Sequence, residues 1–226
     1  MGNTYNIEVN GNIKEIKINQ AFCVGYTGRD IEKTKEHIQE LAEIGISEPE
    51  EIPMLYPVRT SSLMQDGPLE VLGSKTSGEA EIVLIFGDSE DDIYITVGSD
   101  HTDRALEEVD INLSKQICDK PFAQKAWKLN DIIDHWDSLE LSSEMYIDGE
   151  WKPYQNDKIT AILPYKEIKS YLNKTKVVLK NGIFFSGTVP LVDGFKYGSK
   201  FKMTFKDPII NDEISMTYDV NNLERR

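Results

Sequence analysis

Short runs in which apolar and polar residues alternate with a period of two dominate the chain, and they predict strands. Tyr5–Val9 and Ile13–Ile18 flank Asn10-Gly11-Asn12, a hairpin turn by composition. Ala21–Gly25 reads as a further short strand. After it Asp30 offers a helix N-cap, and Ile31, Thr34, Ile38, Leu41, Ala42 and Ile44 recur at helical spacing until Gly45 stops them. Residues 46–68, with four prolines, read as irregular. Ala80–Phe86 and Ile93–Gly98 are β-branched apolar runs joined by an acidic loop at 87–92, most simply a hairpin. Helical pieces are predicted at Ala105–Val109, Ala126–His135 and Tyr165–Leu172. Strands are predicted at Val177–Leu179, Ile183–Ser186, Phe201–Phe205 and Glu213–Tyr218. Few strand pairs are bridged by helices, which argues against a doubly wound parallel sheet and for a mixed, mostly antiparallel α+β fold.

Composition narrows the function classes. The 226 residues are 39% hydrophobic, enough for a sizeable core, and no repeat or Gly/Ser linker divides them, so one domain over 1–226 is expected. No apolar run approaches a membrane span and no signal-peptide pattern is present, so a cytoplasmic protein without membrane contact is expected. Met1-Gly2 lacks the Ser or Thr at position 6 that a myristoylation signal wants. Cys23 and Cys118 are too few for a disulfide framework and read as buried thiols. The formal charge is −14, a field that repels phosphate backbones, so no nucleic-acid partner is expected. Lys196, Lys200, Lys202 and Lys206 alternate along a strand and read as its solvated face. Cations, and small anionic substrates held through a metal, suit such a chain better.

Two constellations carry chemistry. Glu79 and Glu81 stand two apart at the head of a strand, so both side chains leave one face, and side by side they repel unless a cation or proton lies between them. If the strands on either side of the 87–92 loop pair, Asp100 falls across from them. Three converging carboxylates select Mg²⁺, Mn²⁺ or Ca²⁺ over Zn²⁺. A Glu-x-Glu alone is equally an exposed alternating face, and His101 is either a fourth ligand or a neighbour pointing away. The acidic loop lacks the glycine and terminal glutamate of an EF-hand loop and reads as a solvated turn. The second constellation is His37 with Glu40, i,i+3 neighbours at the rim of the helix's apolar arc. They form either a carboxylate-oriented general base or an ordinary surface pair.

In this order, the motifs resemble the fumarylacetoacetate hydrolase superfamily over roughly residues 20–220. Phe22-Cys-Val-Gly-Tyr-Thr-Gly-Arg29 is similar to that family's strand and Gly-Arg-Asn-Tyr turn. His37-Ile-Gln-Glu40 is similar to its His-x-x-Glu helix, and Gly78-Glu-Ala-Glu-Ile-Val-Leu84 to its Glu-x-Glu strand of metal ligands. Ser99-Asp-His-Thr-Asp-Arg104 resembles the segment bearing the third ligand, here Asp100. Lys115 sits where the family has an active-site lysine. Asn181-Gly-Ile-Phe-Phe-Ser-Gly-Thr-Val-Pro190 resembles its Thr-Gly-Thr-Pro turn. The resemblance implies a strand-rich mixed β-roll of the family's C-terminal-domain type, preceded by the strands of residues 1–19. It implies a metal site of Glu79, Glu81 and Asp100 holding Mg²⁺ (or Mn²⁺ or Ca²⁺), and His37, Glu40 and Lys115 as catalytic groups. Arg29, Arg59 and Thr188 would bind substrate, with Tyr56 standing in place of a customary lysine. The implied activity is on a 2-oxo, acylpyruvate-like acid, by C–C hydrolysis through a metal-stabilised enolate, in a homodimer. Decarboxylation, dehydration or isomerisation of a 2-oxo or sugar acid, and a non-catalytic metal-stabilised binding protein, remain open. Residues 127–154 have no counterpart in the pattern.

Overall fold

The structure, a computed structural model, describes residues 2–43, 48–89 and 91–223, without the side chains of His37, Glu40 and Leu41. Two sheets form the body. The first runs Trp127–Lys128, Ile93–Ser99, Ala80–Phe86, Gly182–Thr188, Gln20–Gly25, Met54–Val58. The second runs Glu150–Lys158, Glu140–Ile147, Lys200–Asp207, Asp212–Asn222, Leu69–Val71. Neighbours are antiparallel except where Gly182–Thr188 meets Gln20–Gly25 and where Asp212–Asn222 meets Leu69–Val71. The expected mixed, mostly antiparallel α+β architecture is what forms.

Two adjacent inner strands of the first sheet, Ala80–Phe86 and Ile93–Ser99, are buried along their whole length, which is why they read as largely apolar runs. Ala80, Ile82, Leu84 and Phe86 face the second sheet, packing with Leu141, Met145, Phe201, Met203 and Phe205. Val83 and Ile85 point the other way, onto a second core of Cys23, Ile183 and Phe185. The N-terminal hairpin, Asn3–Val9 with Asn12–Ile18, closes that core with Ile7, Val9, Ile16 and Ile18. Burying a Leu- or Ile-sized side chain contributes ~1.5–3 kcal/mol, so two faces of such residues fix the strand register firmly.

The Ile31–Glu43 helix forms as predicted, with the Asp30 carboxylate accepting from the Glu32 and Lys33 amides; Ile44 and its Gly45 stop lie outside the described residues. Several expectations are corrected. Residues 46–68 contain a strand, Met54–Val58, paired antiparallel with Gln20–Gly25. Pro57 is tolerated there because this is the sheet's edge. Ala126–His135 is not one helix but a two-residue strand, a short helix Leu129–Ile132 and a 3₁₀ turn Ile133–Ser138. Val177–Leu179 forms no strand. The helix expected at Ala105–Val109 is Arg104–Glu107, and Ile111–Ile117 is a helix with an Asp110 cap. The unplaced stretch supplies a hairpin of the second sheet, Glu140–Ile147 and Glu150–Lys158, turning at Asp148-Gly149. Among the described residues no helix is long and apolar enough to cross a membrane.

Candidate active site

The carboxylates meet where these two inner strands begin and end. The Ala80–Phe86 and Ile93–Ser99 strands pair with Ala80 opposite Ser99 and Glu81 opposite Gly98, and the Asp100 amide donates to the Glu79 carbonyl at 3.1 Å. Strand alternation puts Glu81 on the same side as Val83 and Ile85, beside Cys23 of the second core. Asp100 follows Tyr94 on that face, so the two carboxylates face each other across the pair. Its neighbour His101 therefore points oppositely, into the space between the sheets. There Nδ1 is 3.0 Å from the Tyr218 hydroxyl and the ring meets Phe201 edge-on, so His101 is no ligand candidate.

Each carboxylate has a fixed partner. Glu81 Oε2 accepts from the Gly187 amide. Glu79 Oε2 lies 3.0 Å from Nη2 of Arg104, an ion pair rather than an aligned hydrogen bond. Arg104 also donates to Ser77 Oγ at 2.8 Å and pairs with Glu107 at 2.9 Å, and the Phe195 ring covers it. Asp100 takes the Lys115 ammonium on Oδ2 and has Lys120 at 3.3 Å from Oδ1.

These pairs decide the protonation states. Burial works to raise the Asp100 carboxyl, but the Lys115 and Lys120 charges outweigh it and hold the group well below the usual range. Burial works to lower Lys115, and Asp100 reverses that. Among the described residues Glu81 has no ion-pair partner of its own. Burial first, then the charges of Asp100 and Glu79, push its carboxyl well above the ordinary value, against weaker opposition from Lys115 and the Gly187 amide. Three mutually repelling carboxyl groups fit a hard divalent cation in donor chemistry. Among the described residues, however, no three His, Cys, Asp or Glu side chains are gathered into one ligating group. Asp100 is turned to its two lysines and Glu79 to Arg104.

The remaining expected residues divide. Tyr56 is buried on the edge strand near Lys115, whose Nζ lies 5.8 Å from the ring centroid. Burial and the neighbouring Tyr26 push the Tyr56 hydroxyl far up. Thr188 pairs in register with Glu81, but its hydroxyl already donates to the Ala80 carbonyl at 2.8 Å and accepts from Gln155 at 2.7 Å. Arg29 and Arg59 are not drawn into the cluster. Arg29 makes a two-pronged pair with Asp137 at 2.7 and 3.0 Å, and Arg59 is held by Asp119 at 3.0 Å and by Gln116. His37 and Glu40 belong to the Ile31–Glu43 helix, and their side chains lie outside the described residues.

Sequence reasoning missed Lys120, Glu107, Gln155 and the role of Arg104. A lysine or arginine reads as exposed by default, yet Lys120 is 0% exposed and Arg104 7%. Gln155, 1% exposed, donates to Thr188 and to the Val189 carbonyl and accepts from the Ala80 amide and Ser143.

A sequence profile described as "Protein of unknown function (DUF2848)" matches residues 24–218. No curated protein matches the chain in sequence. Solved structures do match in fold. A yeast fumarylacetoacetate hydrolase family protein has a TM-score of 0.66 at 17% identity, covering 91% of this chain and 93% of its own. Fumarylpyruvate hydrolase from Pseudomonas aeruginosa, in complex with Mn²⁺ and pyruvate, has 0.61 at 16%, covering 97% of each chain. A 2-keto-3-deoxy-D-arabinonate dehydratase complexed with magnesium and 2,5-dioxopentanoate has 0.68 at 16%, covering 94% of this chain and 77% of its own. The fold is that of the fumarylacetoacetate hydrolase superfamily, as the motifs implied.

Proposed function

Since the chain belongs to the DUF2848 family of proteins of unknown function, we propose that it is a divalent-metal-dependent enzyme acting on a 2-oxo, acylpyruvate-like acid, most simply by C–C hydrolysis. The observation that carries this reading is the register of the Ala80–Phe86 and Ile93–Ser99 strands, continued by the Asp100 amide to the Glu79 carbonyl, which brings Glu79, Glu81 and Asp100 to one end of one sheet beside Lys115. Those three carboxylates would hold Mg²⁺, Mn²⁺ or Ca²⁺. A cation so held supplies Lewis-acid stabilisation of the negative charge that develops on a 2-oxo acid's carbonyl oxygen.

The chain's own groups have separable roles. The Gly187 amide and Arg104 fix the two glutamates, and Lys115 places a positive charge where a substrate carboxylate would sit. His37, with Glu40 three residues on in the same helix, would take a proton from water. That water attacks the acyl carbonyl, the C–C bond breaks, and the electron pair leaves with the pyruvate fragment and is protonated there. Without a placed water the same site favours the lyase outcomes. The relatives' names span both classes, a hydrolase with Mn²⁺ and pyruvate and a dehydratase with magnesium and 2,5-dioxopentanoate. The reading also carries a cytoplasmic homodimer.

The test is calorimetric titration of Mn²⁺ and Mg²⁺ into wild type and the double variant Glu79→Gln, Glu81→Gln, with turnover assayed on a panel of acylpyruvates and 2-oxo acids. Unchanged metal affinity in the double variant sinks the site assignment. Metal binding without turnover on any substrate favours a binding protein. His37→Ala should abolish hydrolysis but spare a decarboxylase.

A further inference from the structure

Asp100 has two lysines, and they are not equivalent. Lys115 lies in the last turn of the Ile111–Ile117 helix with a side chain 10% exposed. Lys120 is fully buried, in a two-residue strand, Lys120–Pro121, pinned parallel to Leu63–Met64. The segment is wedged against the strand that leads into Asp100. A Cβ on Gly98 would lie 2.9 Å from the Pro121 carbonyl, so only glycine admits the crossing without movement. The Phe122 amide donates to the Met64 carbonyl at 3.0 Å and fixes the segment's depth. The Lys120 ammonium donates to the His101 carbonyl at 2.5 Å and the Cys118 carbonyl at 3.2 Å, with Asp100 Oδ1 at 3.3 Å. A buried ammonium needs all such partners, because each uncompensated buried charge costs several kcal/mol.

The same restraint recurs at the other two carboxylates. Glu79 Oε2 is held by Arg104, itself 7% exposed, and Glu81 Oε2 by the Gly187 amide. Each carboxylate therefore has one oxygen occupied by an immovable group and one that is not. On Asp100 the second oxygen carries Lys115, itself buried but reaching in from the last turn of a short helix rather than from a strand pinned in the fold.

Resting on the metal-enzyme reading above, we infer that Lys120 is a positioning residue of the metal site: it keeps one oxygen of Asp100 permanently occupied. Asp100 can then offer a cation only its other oxygen, and the site takes Mg²⁺ or Mn²⁺ in preference to Ca²⁺. Ca²⁺ draws on six to eight oxygens and commonly uses both oxygens of a carboxylate, whereas Mg²⁺ takes single oxygens in an octahedron and keeps its waters. A fixed ammonium beside a ligand oxygen also weakens the attraction for any cation.

The experiment is competition against Mn²⁺, monitored by calorimetry on the whole protein, with Mg²⁺ and Ca²⁺ as competitors. In wild type, Ca²⁺ should displace Mn²⁺ no better than Mg²⁺ does. Lys120→Gln keeps an amide donor for the two carbonyls and removes the charge. It should bind all three ions more tightly, with the Ca²⁺-to-Mg²⁺ preference rising about tenfold. Lys120→Arg should restore the wild-type preference, which a merely structural role would not require. A folded Lys120→Gln with an unchanged preference overturns the inference. If Lys120→Gln does not fold, a wild type that binds Ca²⁺ more tightly than Mg²⁺ overturns it instead. Wild type that binds no divalent ion at millimolar concentration sinks the metal reading, and this inference with it.

Discussion

Replacing Gly187 with alanine strikes the joint between fold and site. Gly187 has φ of +147°, a conformation that side chains other than glycine rarely adopt. A Cβ there would lie 2.4 Å from Ile162 Cγ2 and 2.6 Å from Thr27 Oγ1, both far inside contact distance. Ile162 is 1% exposed and Thr27 6%, so neither has room to retreat. Backbone strain of ~1–3 kcal/mol and overpacking of ~1–3 kcal/mol act together, for a loss of about 2–6 kcal/mol. For a chain of this size that lowers the melting temperature by roughly 4–24 °C. The same amide donates to Glu81, and a hydrogen bond to a charged group contributes ~1.5–3 kcal/mol, so Mn²⁺ affinity should fall by about tenfold or more. Gly149→Ala is the control: its φ is +85° but nothing lies within 4 Å of the added methyl, so only the conformational part remains. Calorimetric melting and Mn²⁺ titration of both variants read the two effects. A Gly187→Ala protein no less stable than Gly149→Ala refutes the packing argument, and one with undiminished Mn²⁺ affinity refutes the link to Glu81.

Gln155→Leu, nearly equal in volume, leaves the Ala80 amide without its 2.7 Å acceptor and frees Thr188; urea unfolding should show a loss of about 2–4 kcal/mol. Asp137→Ala removes an Arg29 partner that is 59% exposed, so stability should change by no more than ~1 kcal/mol and metal affinity not at all. His101 is held well below its ordinary value, by burial first and then by the Lys120 and Arg104 charges. The unfolded chain takes a proton there below about pH 6.5 and the folded one does not, so stability falls as the pH drops under that value. The slope is about 1 kcal/mol per pH unit, and His101→Gln should lack this contribution in urea titrations at pH 7.5 and 5.5.

What could be read from the sequence followed from local rules with little competition. The Ala80–Phe86 and Ile93–Ser99 strands are mostly apolar and their loop is short, so their pairing was legible, and with it the nearness of Asp100 to Glu79 and Glu81. The turn at Asp148-Gly149, with φ of +55° and +85°, was equally visible in principle, since Asp-Gly is among the strongest hairpin signals. It was obscured because the strands beside it break the alternation. Ser143 and Gln155 occupy core-facing positions, 2% and 1% exposed, where the pattern calls for apolar residues.

That break is tied to the site. Gln155 reaches from the second sheet to the Ala80 amide, just before Glu81, and to the Thr188 hydroxyl and Val189 carbonyl at and just after its strand partner. Ser143 satisfies the other lone pair of its side-chain oxygen at 2.8 Å. A leucine at either place would sharpen the strand signal and leave buried polar groups of the site unpaired. The same conflict hides Lys120, whose burial depends on the His101 and Cys118 carbonyls that only the folded chain brings together. Local pattern and global fold thus disagree chiefly where a side chain braces the carboxylates, as expected where function requires polar groups in a core. Such residues become legible only once the register of the central hairpin is known, because that register defines which backbone groups lack partners.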